Sequence, residues 1–193
     1  MRRLIRFSLL TTLVTLIGLA CSPAAHALGH GRGDGPDGRW QLIAGPSGST
    51  VRGALGPIYT FQAGDRAYEA LPAAQPLSGG RGYWAYLPAD ATIDGGDAGA
   101  PCEVKLPTGA GWVLIGDPSS TRRAIVLGDT PLALADVLVY DAAHHGYTSV
   151  LKRVYSESGA IHEITTADLE PGQAAWARLR ADGGSITVDG CPV

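Results

Sequence analysis

The feature that most constrains this chain is an internal repeat that begins at a tryptophan. Residues 112–118 read Trp-Val-Leu-Ile-Gly-Asp-Pro, and residues 40–46, which lie 72 positions earlier, read Trp-Gln-Leu-Ile-Ala-Gly-Pro. A second tryptophan pair, Trp84 and Trp176, continues the match at an offset of 92 positions. Self-similarity over this length predicts that one structural unit occurs twice in the chain.

The match around the second tryptophan pair extends over several residues. The identical positions are Leu77, Gly80, Trp84, Ala85, Leu87, Ala89 and Asp90 in the first copy and Leu169, Gly172, Trp176, Ala177, Leu179, Ala181 and Asp182 in the second. The difference between the two offsets gives the second copy 20 extra residues. Pairing residues 58–61 with residues 137–140 places 7 of the extra residues before 137–140 and 13 after it. We predict duplicated halves at 39–96 and 111–190, fused into a single domain over 39–193, because two repeats are too few for a solenoid.

Past the amino-terminal region, the hydrophobic pattern is mainly that of short strands. The candidate strands are 40–43, 58–61, 67–71, 82–87, 112–115, 125–127, 137–140, 147–154, 174–179 and 186–188. Gly, Pro, Asp or Ser separates most of them, which is typical of turns. One short helix is expected at 132–136, with Thr130 as its cap and Pro131 at its first position. The pattern predicts an all-β fold with little helix, a pseudo-symmetric sandwich or barrel built from the two halves.

The amino terminus has the pattern of a secretory signal. Three arginines precede an apolar run of 14 residues at 7–20, which is too short to span a bilayer. Cleavage after Ala27 removes a signal peptide of residues 1–27 and leaves a glycine-rich flexible leader at 28–38. The alternative is a lipobox at 18–21, which would leave a lipid anchor on Cys21. We expect a secreted, periplasmic or extracellular protein with no transmembrane segment after signal removal.

The charge balance argues against one class of partner. The chain has 15 basic and 18 acidic residues, and the signal peptide removes three arginines, so 12 basic residues remain and the net charge is −6. An acidic surface repels phosphate backbones. We therefore expect no nucleic-acid partner.

Cleavage after Ala27 leaves two cysteines, Cys102 and Cys191. In an oxidising compartment two such cysteines usually pair, and this pair would close a loop of about 90 residues with roughly 4–5 kcal/mol of stabilisation in the chain-entropy model. Redox or metal chemistry is the alternative, but the pair lacks C-x-x-C spacing and a third thiol. We predict a structural disulfide.

The repeat resembles a known type of module. The opening at 112–118, the Leu-Glu-Pro-Gly of 169–172 and the Gly-Tyr-Trp of 82–84 are similar to a tryptophan-centred tandem β module of secreted and surface-attached bacterial proteins. That module commonly opens Gly-Trp-Asn-Leu-Ile-Gly-Asn-Pro, so Val113 and Asp117 depart from its pattern, as does Ala175 in place of a late tyrosine. The resemblance implies an extracellular accessory role and transfers no catalytic residue.

Histidines are the residues that come closest to a catalytic or metal site. His144 and His145 lie between strand-like segments at a predicted hairpin tip, and His162 begins a sequence that lacks the second histidine of a zinc-protease helix. The three histidines together would suit a metal, whereas solvated turn residues are the simpler interpretation of His144 and His145. We predict no metal, no cofactor and no catalytic residue.

The late tryptophans suggest a binding surface. In a strand, Trp176 shares its side with Arg178 and Arg180, and arginines rarely point into a core. Trp176 and Arg178, with Trp84 and Tyr86 at the matching places, would then form an exposed aromatic surface that stacks on sugar rings or anchors a protein. The alternative is that a neighbouring loop covers both tryptophans and that arginine stems flank their rings.

Three functional hypotheses remain open from the sequence. The first is a non-catalytic, secreted or envelope-associated binding module for polysaccharide or protein. The second is a structural surface protein or an inhibitor of another enzyme. The third is a hydrolase whose site is dispersed along the chain, with His144, His145 or His162 set against an acid in a cleft. We predict the first.

Overall fold

In the computed structural model of this protein, the residues described are 38–96, 103–119, 124–125, 134–155, 158, 161–165, 168–180 and 184–188. They form short strands because β-branched and aromatic residues recur between glycine, proline and aspartate turns. The strands are β1 Arg39–Ile43, β2 Thr50–Arg52, β3 Ile58–Thr60, β4 Glu69–Leu71, β5 Tyr83–Leu87, β6 Thr92–Asp94, β7 Glu103–Leu106, β8 Gly111–Gly116, β9 Ala124–Ile125, β10 Leu134–Asp141, β11 Gly146–Tyr155, β12 Ile161–Thr165, β13 Ala174–Leu179 and β14 Gly184–Val188.

The strands form four antiparallel sheets, and the described residues contain no helix. The first sheet has the order β1-β5-β3-β4, and the second has the order β12-β11-β10-β13-β8. The two smaller sheets have the orders β2-β6 and β7-β14-β9. The prediction of an all-β fold is therefore confirmed.

The two halves of the chain have the same strand order. The first sheet has the order β1-β5-β3-β4, and the equivalent strands of the second half lie in the same order, β8-β13-β10-β11. The second sheet has one more strand, β12, at its edge. The same substitution relates β2-β6 to β9-β14, and β7 is the addition there. This correspondence is what a duplication predicts, and common descent of the halves stays a prediction.

The pairing register also agrees with the internal alignment of the sequence. Leu42 lies opposite Trp84 in the first sheet, and Leu114 lies opposite Trp176 in the second. These residues correspond at the offsets of 72 and 92 positions found in the sequence. Because a slip of one residue would turn every side chain to the other face of a sheet, the shared register places equivalent side chains on equivalent faces.

The halves join through a reciprocal pair of backbone hydrogen bonds. The N–H of Ala44 donates to the carbonyl oxygen of Gly172 at 2.9 Å, and the N–H of Gly116 donates to that of Gly80 at 3.1 Å. Ala44 is equivalent to Gly116 and Gly172 to Gly80, so exchanging equivalent residues of the two halves converts one bond into the other. The bridges Ile43–Gln173 and Arg81–Ile115 have the same relation. The joint is thus isologous, as in a two-fold dimer, although it lies within one chain.

Equivalent glycine turns present the backbone atoms of this joint. A hydrogen bond from residue 81 to residue 78 closes one turn at 3.1 Å, and a bond from residue 173 to residue 170 closes the other at 2.9 Å. Gly80 and Gly172 occupy the third positions with φ of 83° and 75°. A positive φ at this position defines a type II turn and favours glycine, which has no Cβ to clash.

Three buried clusters make up the core, and both large sheets are covered on both faces. One cluster packs between the two large sheets and contains Leu42, Ala44, Phe61, Trp84, Leu114, Ala174 and Trp176. A second covers the other face of the second sheet and includes Val113, Ile115, Val137, Val139, Leu151, Ala175, Ala177 and Leu179. A third covers the other face of the first sheet and includes Ile43, Ile58, Leu77, Tyr83, Ala85 and Leu87.

The expected helix at 132–136 is not formed where the structure describes it. Strand β10 begins at Leu134, and its residues Val137 and Val139 point into the core as alternate positions of a strand do. Pairing with both β11 and β13 satisfies the backbone of β10 in place of a helical turn. Residues 130–133, including the predicted cap, lie outside the described residues.

Several predictions fall on parts of the chain that the structure does not describe. These are the signal peptide at 1–27, the leader at 28–38 except for Gly38, the lipidation site Cys21, and the disulfide partners Cys102 and Cys191. Within the described ranges, no helix has the length and apolar character needed to cross a membrane.

Candidate ligand-binding site

Ten aromatic side chains form a continuous contact network, which we call the aromatic cluster. Its members are Trp40, Tyr59, Phe61, Tyr68, Trp84, Tyr86, Trp112, Tyr140, Tyr147 and Trp176. All four tryptophans of the chain belong to it. The cluster forms because the strands of both large sheets direct aromatic residues, at alternate positions, toward the space between the sheets.

Trp84 and Trp176 lie inside the aromatic cluster. Their relative exposures are 3% and 5%, so neither ring has a free face for a ligand. The prediction that these two rings are exposed and bind a ligand is wrong. The alternative, that both rings are covered, is correct, although the cover is not a loop. The cover comes from the facing sheet: Trp84 packs on Tyr140 at 4.8 Å between ring centroids, and Trp176 packs on Phe61 at 5.4 Å.

The row that Trp176 shares with Arg178 runs from the core to the solvent. Arg178 lies near the end of β13, with half of its side chain exposed, and it makes an ion pair with Asp136 on the neighbouring strand β10 at 2.6 Å. The arginine is therefore exposed without drawing Trp176 to the surface, because two positions of a strand separate them by about 7 Å.

Tyr68 joins the two tryptophans. Its ring lies 6.0 Å from that of Trp176, and its side chain is hydrogen-bonded to that of Trp84. Burial raises the pKa of Tyr68 to about 12, with a further increase from the nearby Tyr147, while the hydrogen bond to Trp84 acts in the opposite direction. Tyr68 therefore stays protonated throughout the neutral range.

One edge of the aromatic cluster reaches the surface in the first half. Trp40, Tyr59 and Tyr86 are all half-buried and occupy the same face of the first sheet, and we call these three residues the aromatic rim. The ring of Trp40 lies 5.5 Å from that of Tyr86 and 6.0 Å from that of Tyr59. On its other side Trp40 contacts Trp84 edge-on at 6.5 Å. The rim is thus held in place by the core while its outer surface remains accessible.

The equivalent edge of the second half has different chemistry. Trp112 occupies the position of Trp40, but Arg178 lies opposite it where Tyr86 lies opposite Trp40. Arg178 is engaged with Asp136, so this edge presents one aromatic ring beside an ion pair. The two halves therefore share a scaffold and differ in the surface that it carries.

The histidine pair lies at the tip of a hairpin, as the sequence predicts. His144 and His145 belong to the turn between β10 and β11, and His145 has a left-handed φ of 49°. The Nδ1 atom of His144 lies 2.6 Å from a carboxylate oxygen of Asp141, which raises the pKa of the imidazole and lowers that of the carboxyl. Both histidines are exposed. The side chain of His162 lies outside the described residues.

No group of three or more potential metal ligands comes together within the described ranges. The Asp141–His144 contact belongs to a hydrogen-bonded turn, in which the backbone N–H groups of Ala143 and His144 also donate to the Asp141 carboxylate. Such an arrangement is typical of an Asx turn.

A separate cavity of about 260 Å³ lies between the turn at 78–81 and strands β7 and β8. Arg81, Lys105, Glu103 and Gln62 supply its polar groups. None of the residues of the aromatic rim lines it. The cavity is therefore a second, independent feature of the surface.

Sequence reasoning missed parts of both features. Trp40 shares a row with Leu42, which in the sequence favours a core position, yet its place at the start of an edge strand leaves it only half-buried. Tyr59 carried a usable signal, since it alternates with the buried Ile58 and Thr60. No pattern predicts the cavity, because its residues come from segments that meet only in the folded chain.

No protein-family model matches the chain, and no match is found among curated proteins or solved structures. The resemblance to a tryptophan-centred bacterial module stays a prediction. The chemistry of the site therefore rests on its own residues.

Proposed function

We propose that this protein is a non-catalytic binding module that acts outside the cytoplasm and recognises polysaccharide through the aromatic rim. The observation that carries the proposal is the grouping of Trp40, Tyr59 and Tyr86 as adjacent, half-buried rings on one face of the first sheet. Half-buried rings of this kind keep an accessible apolar surface while the fold holds their orientation.

The physical basis is stacking without much loss of entropy. A sugar ring presents an apolar face of C–H groups, and aromatic side chains offer wide, rigid contact area with few rotatable bonds. Trp40 is already fixed by its contact with Trp84, so binding orders little of the protein. The hydroxyl groups of Tyr59 and Tyr86 add hydrogen-bonding capacity beside the apolar surface.

The proposed location rests on the sequence. The basic amino terminus, the apolar run at 7–20 and the small residues before position 28 support export, and a net charge of −6 after cleavage argues against nucleic acid as the partner. A polysaccharide of the cell envelope or surroundings is the partner class that agrees with both export and an uncharged aromatic rim.

Retention on polysaccharide tests the proposal. The full chain is applied to insoluble glucan, chitin and xylan, and its retention is compared with that of Trp40→Ala and Tyr86→Ala. We expect each variant to lose about tenfold in affinity, equivalent to about 1.4 kcal/mol. Trp40→Phe should lose less, because it keeps a ring.

The pseudo-symmetry provides matched controls. Trp112→Ala and Arg178→Ala change the equivalent positions of the second half and should leave retention close to that of the unaltered protein. Equal losses in both halves, or unchanged retention when Trp40 and Tyr86 are both replaced, would contradict a role for the aromatic rim. A melting temperature measured for every variant separates lost binding from lost folding.

A further inference from the structure

The cavity beside the turn at 78–81 has a built floor and a charged opening. Val104, Val113 and Ile115 line the cavity, and their side chains belong to the buried core behind it. Glu103 and Lys105 alternate with the buried positions of β7 and are exposed, so they stand at the solvent side. The combination is an apolar base with ionic groups at its mouth, which is common in small-molecule sites.

The position of Arg81 in this cavity is fixed by the joint between the halves. Its backbone bridges Ile115, and its N–H donates to the carbonyl of Ser78 at 3.1 Å. Residues opposite each other in an antiparallel bridge project to the same face, so Arg81 projects to the side on which Ile115 is buried. The equivalent residue of the second half is the uncharged Gln173.

The guanidinium of Arg81 is only lightly engaged by the protein. Its ion pair with Glu69 has an N–O distance of 3.7 Å, and more than half of the Glu69 side chain is exposed. An arginine has five N–H donors in a planar arrangement that suits a carboxylate. Because the ion pair with Glu69 is long, the guanidinium can still donate hydrogen bonds to an anion that lies closer. Lys105 also lines the cavity and is exposed, so it adds a second positive charge at the solvent side.

Close packing at the turn preserves the space. Gly80 has a φ of 83°, and a Cβ added there would overlap the side chain of Val104. Strand β7 therefore rests directly on a turn that carries no side chain at this position. Strand β7 is additional to the strand order shared by the halves, and the described residues of the first half contain no strand equivalent to it.

We propose that this cavity binds a small organic carboxylate, with Arg81 and Lys105 holding the carboxylate group and residues 113–115 of β8 lying beneath the body of the ligand. A volume of about 260 Å³ limits the ligand to a small molecule or to one unit of a longer chain. The same chemistry occurs in a free sugar acid and in a uronic acid unit of a polysaccharide. The site is independent of the aromatic rim.

Galacturonate and galactose form a matched pair of probes, because they share a ring and differ in the carboxylate. Titration calorimetry with the full chain should show binding of galacturonate and at least tenfold weaker binding of galactose. Arg81→Gln should weaken galacturonate binding about tenfold, which is the effect of one charge-assisted hydrogen bond, and Lys105→Gln should weaken it less. Added salt should weaken binding as well.

Arg52→Gln is the control variant. Arg52 is also a surface arginine in an ion pair, with Asp94 at 2.9 Å, but it does not line the cavity. The control should leave galacturonate binding unchanged. Amide chemical shifts of Gly80 and Val104 should move on titration, whereas the indole signal of Trp40 should not. Each variant is checked by its melting temperature.

Polygalacturonate distinguishes the two sources of the carboxylate. Tighter binding of the polymer per unit would assign the cavity to a uronic acid polysaccharide, and tighter binding of the free acid would assign it to a small metabolite. Absence of galacturonate binding, equal binding of galactose, or binding that survives Arg81→Gln together with Lys105→Gln would overturn the proposal. Trp40→Ala should not affect this titration, so failure here leaves the test of the aromatic rim intact.

Discussion

Ala44 and Gly116 are equivalent residues of the two halves, and they meet each other where the halves join. A Cβ added to Gly116 would overlap the Cβ of Ala44 and would lie 2.8 Å from the carbonyl oxygen of Arg81. The joint therefore has room for one methyl group, and the two halves cannot both carry alanine at this position. The difference between Ala-Gly-Pro and Gly-Asp-Pro in the two copies has a steric cause here.

Gly116→Ala should destabilise the protein by about 1–3 kcal/mol, the usual cost of overpacking a close contact. Exchanging the pair, with Ala44→Gly in the same chain, should recover part of that loss because one methyl group is again present. The measurement is the free energy of unfolding in urea for both single variants and the double variant. Strictly additive effects would show that the two positions do not compete for the same space.

The two turn glycines should respond differently to alanine. Gly80 and Gly172 both have a positive φ, so each replacement has a strain cost of about 1–2 kcal/mol. At Gly80 the new Cβ also overlaps Val104, whereas at Gly172 the nearest atom is the Ala44 carbonyl oxygen at 3.8 Å. Gly80→Ala should therefore lower the unfolding free energy more than Gly172→Ala.

A second variant isolates the cause of that difference. In a Val104→Ala background the extra cost of Gly80→Ala should shrink toward that of Gly172→Ala, since the overlapping methyl groups are gone. An unchanged difference between the glycines in that background would place the cost elsewhere in the turn.

Replacing either buried tryptophan should remove much of the stability. Trp84→Ala and Trp176→Ala each empty a large volume in the core, and such changes cost about 3–5 kcal/mol. Trp112→Ala should cost less because Trp112 is half exposed. Unfolding in urea, followed by circular dichroism, gives the three values. Similar values for all three would be inconsistent with the burial difference.

Alkaline conditions should weaken the fold through Tyr68. Its pKa is raised to about 12 in the folded chain from an ordinary value of 10.0. The unfolded chain therefore loses the phenolic proton first, so stability is fully present below about pH 10 and declines as the pH rises through 12. Tyr68→Phe should make this decline shallower. Tyrosinate absorbance and unfolding free energies over this range provide the measurement.

His144 should titrate above its ordinary value of 6.5, because the Asp141 carboxylate accepts a hydrogen bond from its ring and favours the imidazolium. NMR titration of the imidazole signals gives the midpoint. Asp141→Asn should move the midpoint back down. The folded pKa is the raised one, so the contact stabilises the turn below pH 6.5 and loses its effect as the pH rises through the folded value. If Asp141→Asn leaves the midpoint of His144 unchanged, the contact between Asp141 and His144 does not raise the pKa.

Much of the fold could be predicted from alternation and turn residues. The strand at 174–179 was predicted with the bounds of β13, and the offsets of 72 and 92 positions anticipated the common register of Leu42 with Trp84 and Leu114 with Trp176. Strand β7 is absent from the predicted strands, although Glu103 to Leu106 alternates exposed and buried positions. Four residues are too few for such alternation to stand out in a sequence.

The candidate site was harder to predict because burial depends on what covers a face. Arg178 suggested a solvent face for Trp176, but the facing sheet buries the tryptophan while half of the arginine side chain stays exposed. The same reasoning left Trp40 in the core. Alternation in the sequence shows which residues share a face of a strand. Which residues of that face are buried depends on how one sheet packs against another, and alternation does not show this.

The reciprocal joint has a consequence for how the chain folds during synthesis. Strand β1 is an edge strand, and the N–H of Ala44 at its end is satisfied only by Gly172, near the other end of the protein. During synthesis this N–H must therefore wait until residue 172 has been made, so the joint between the halves closes late in chain elongation.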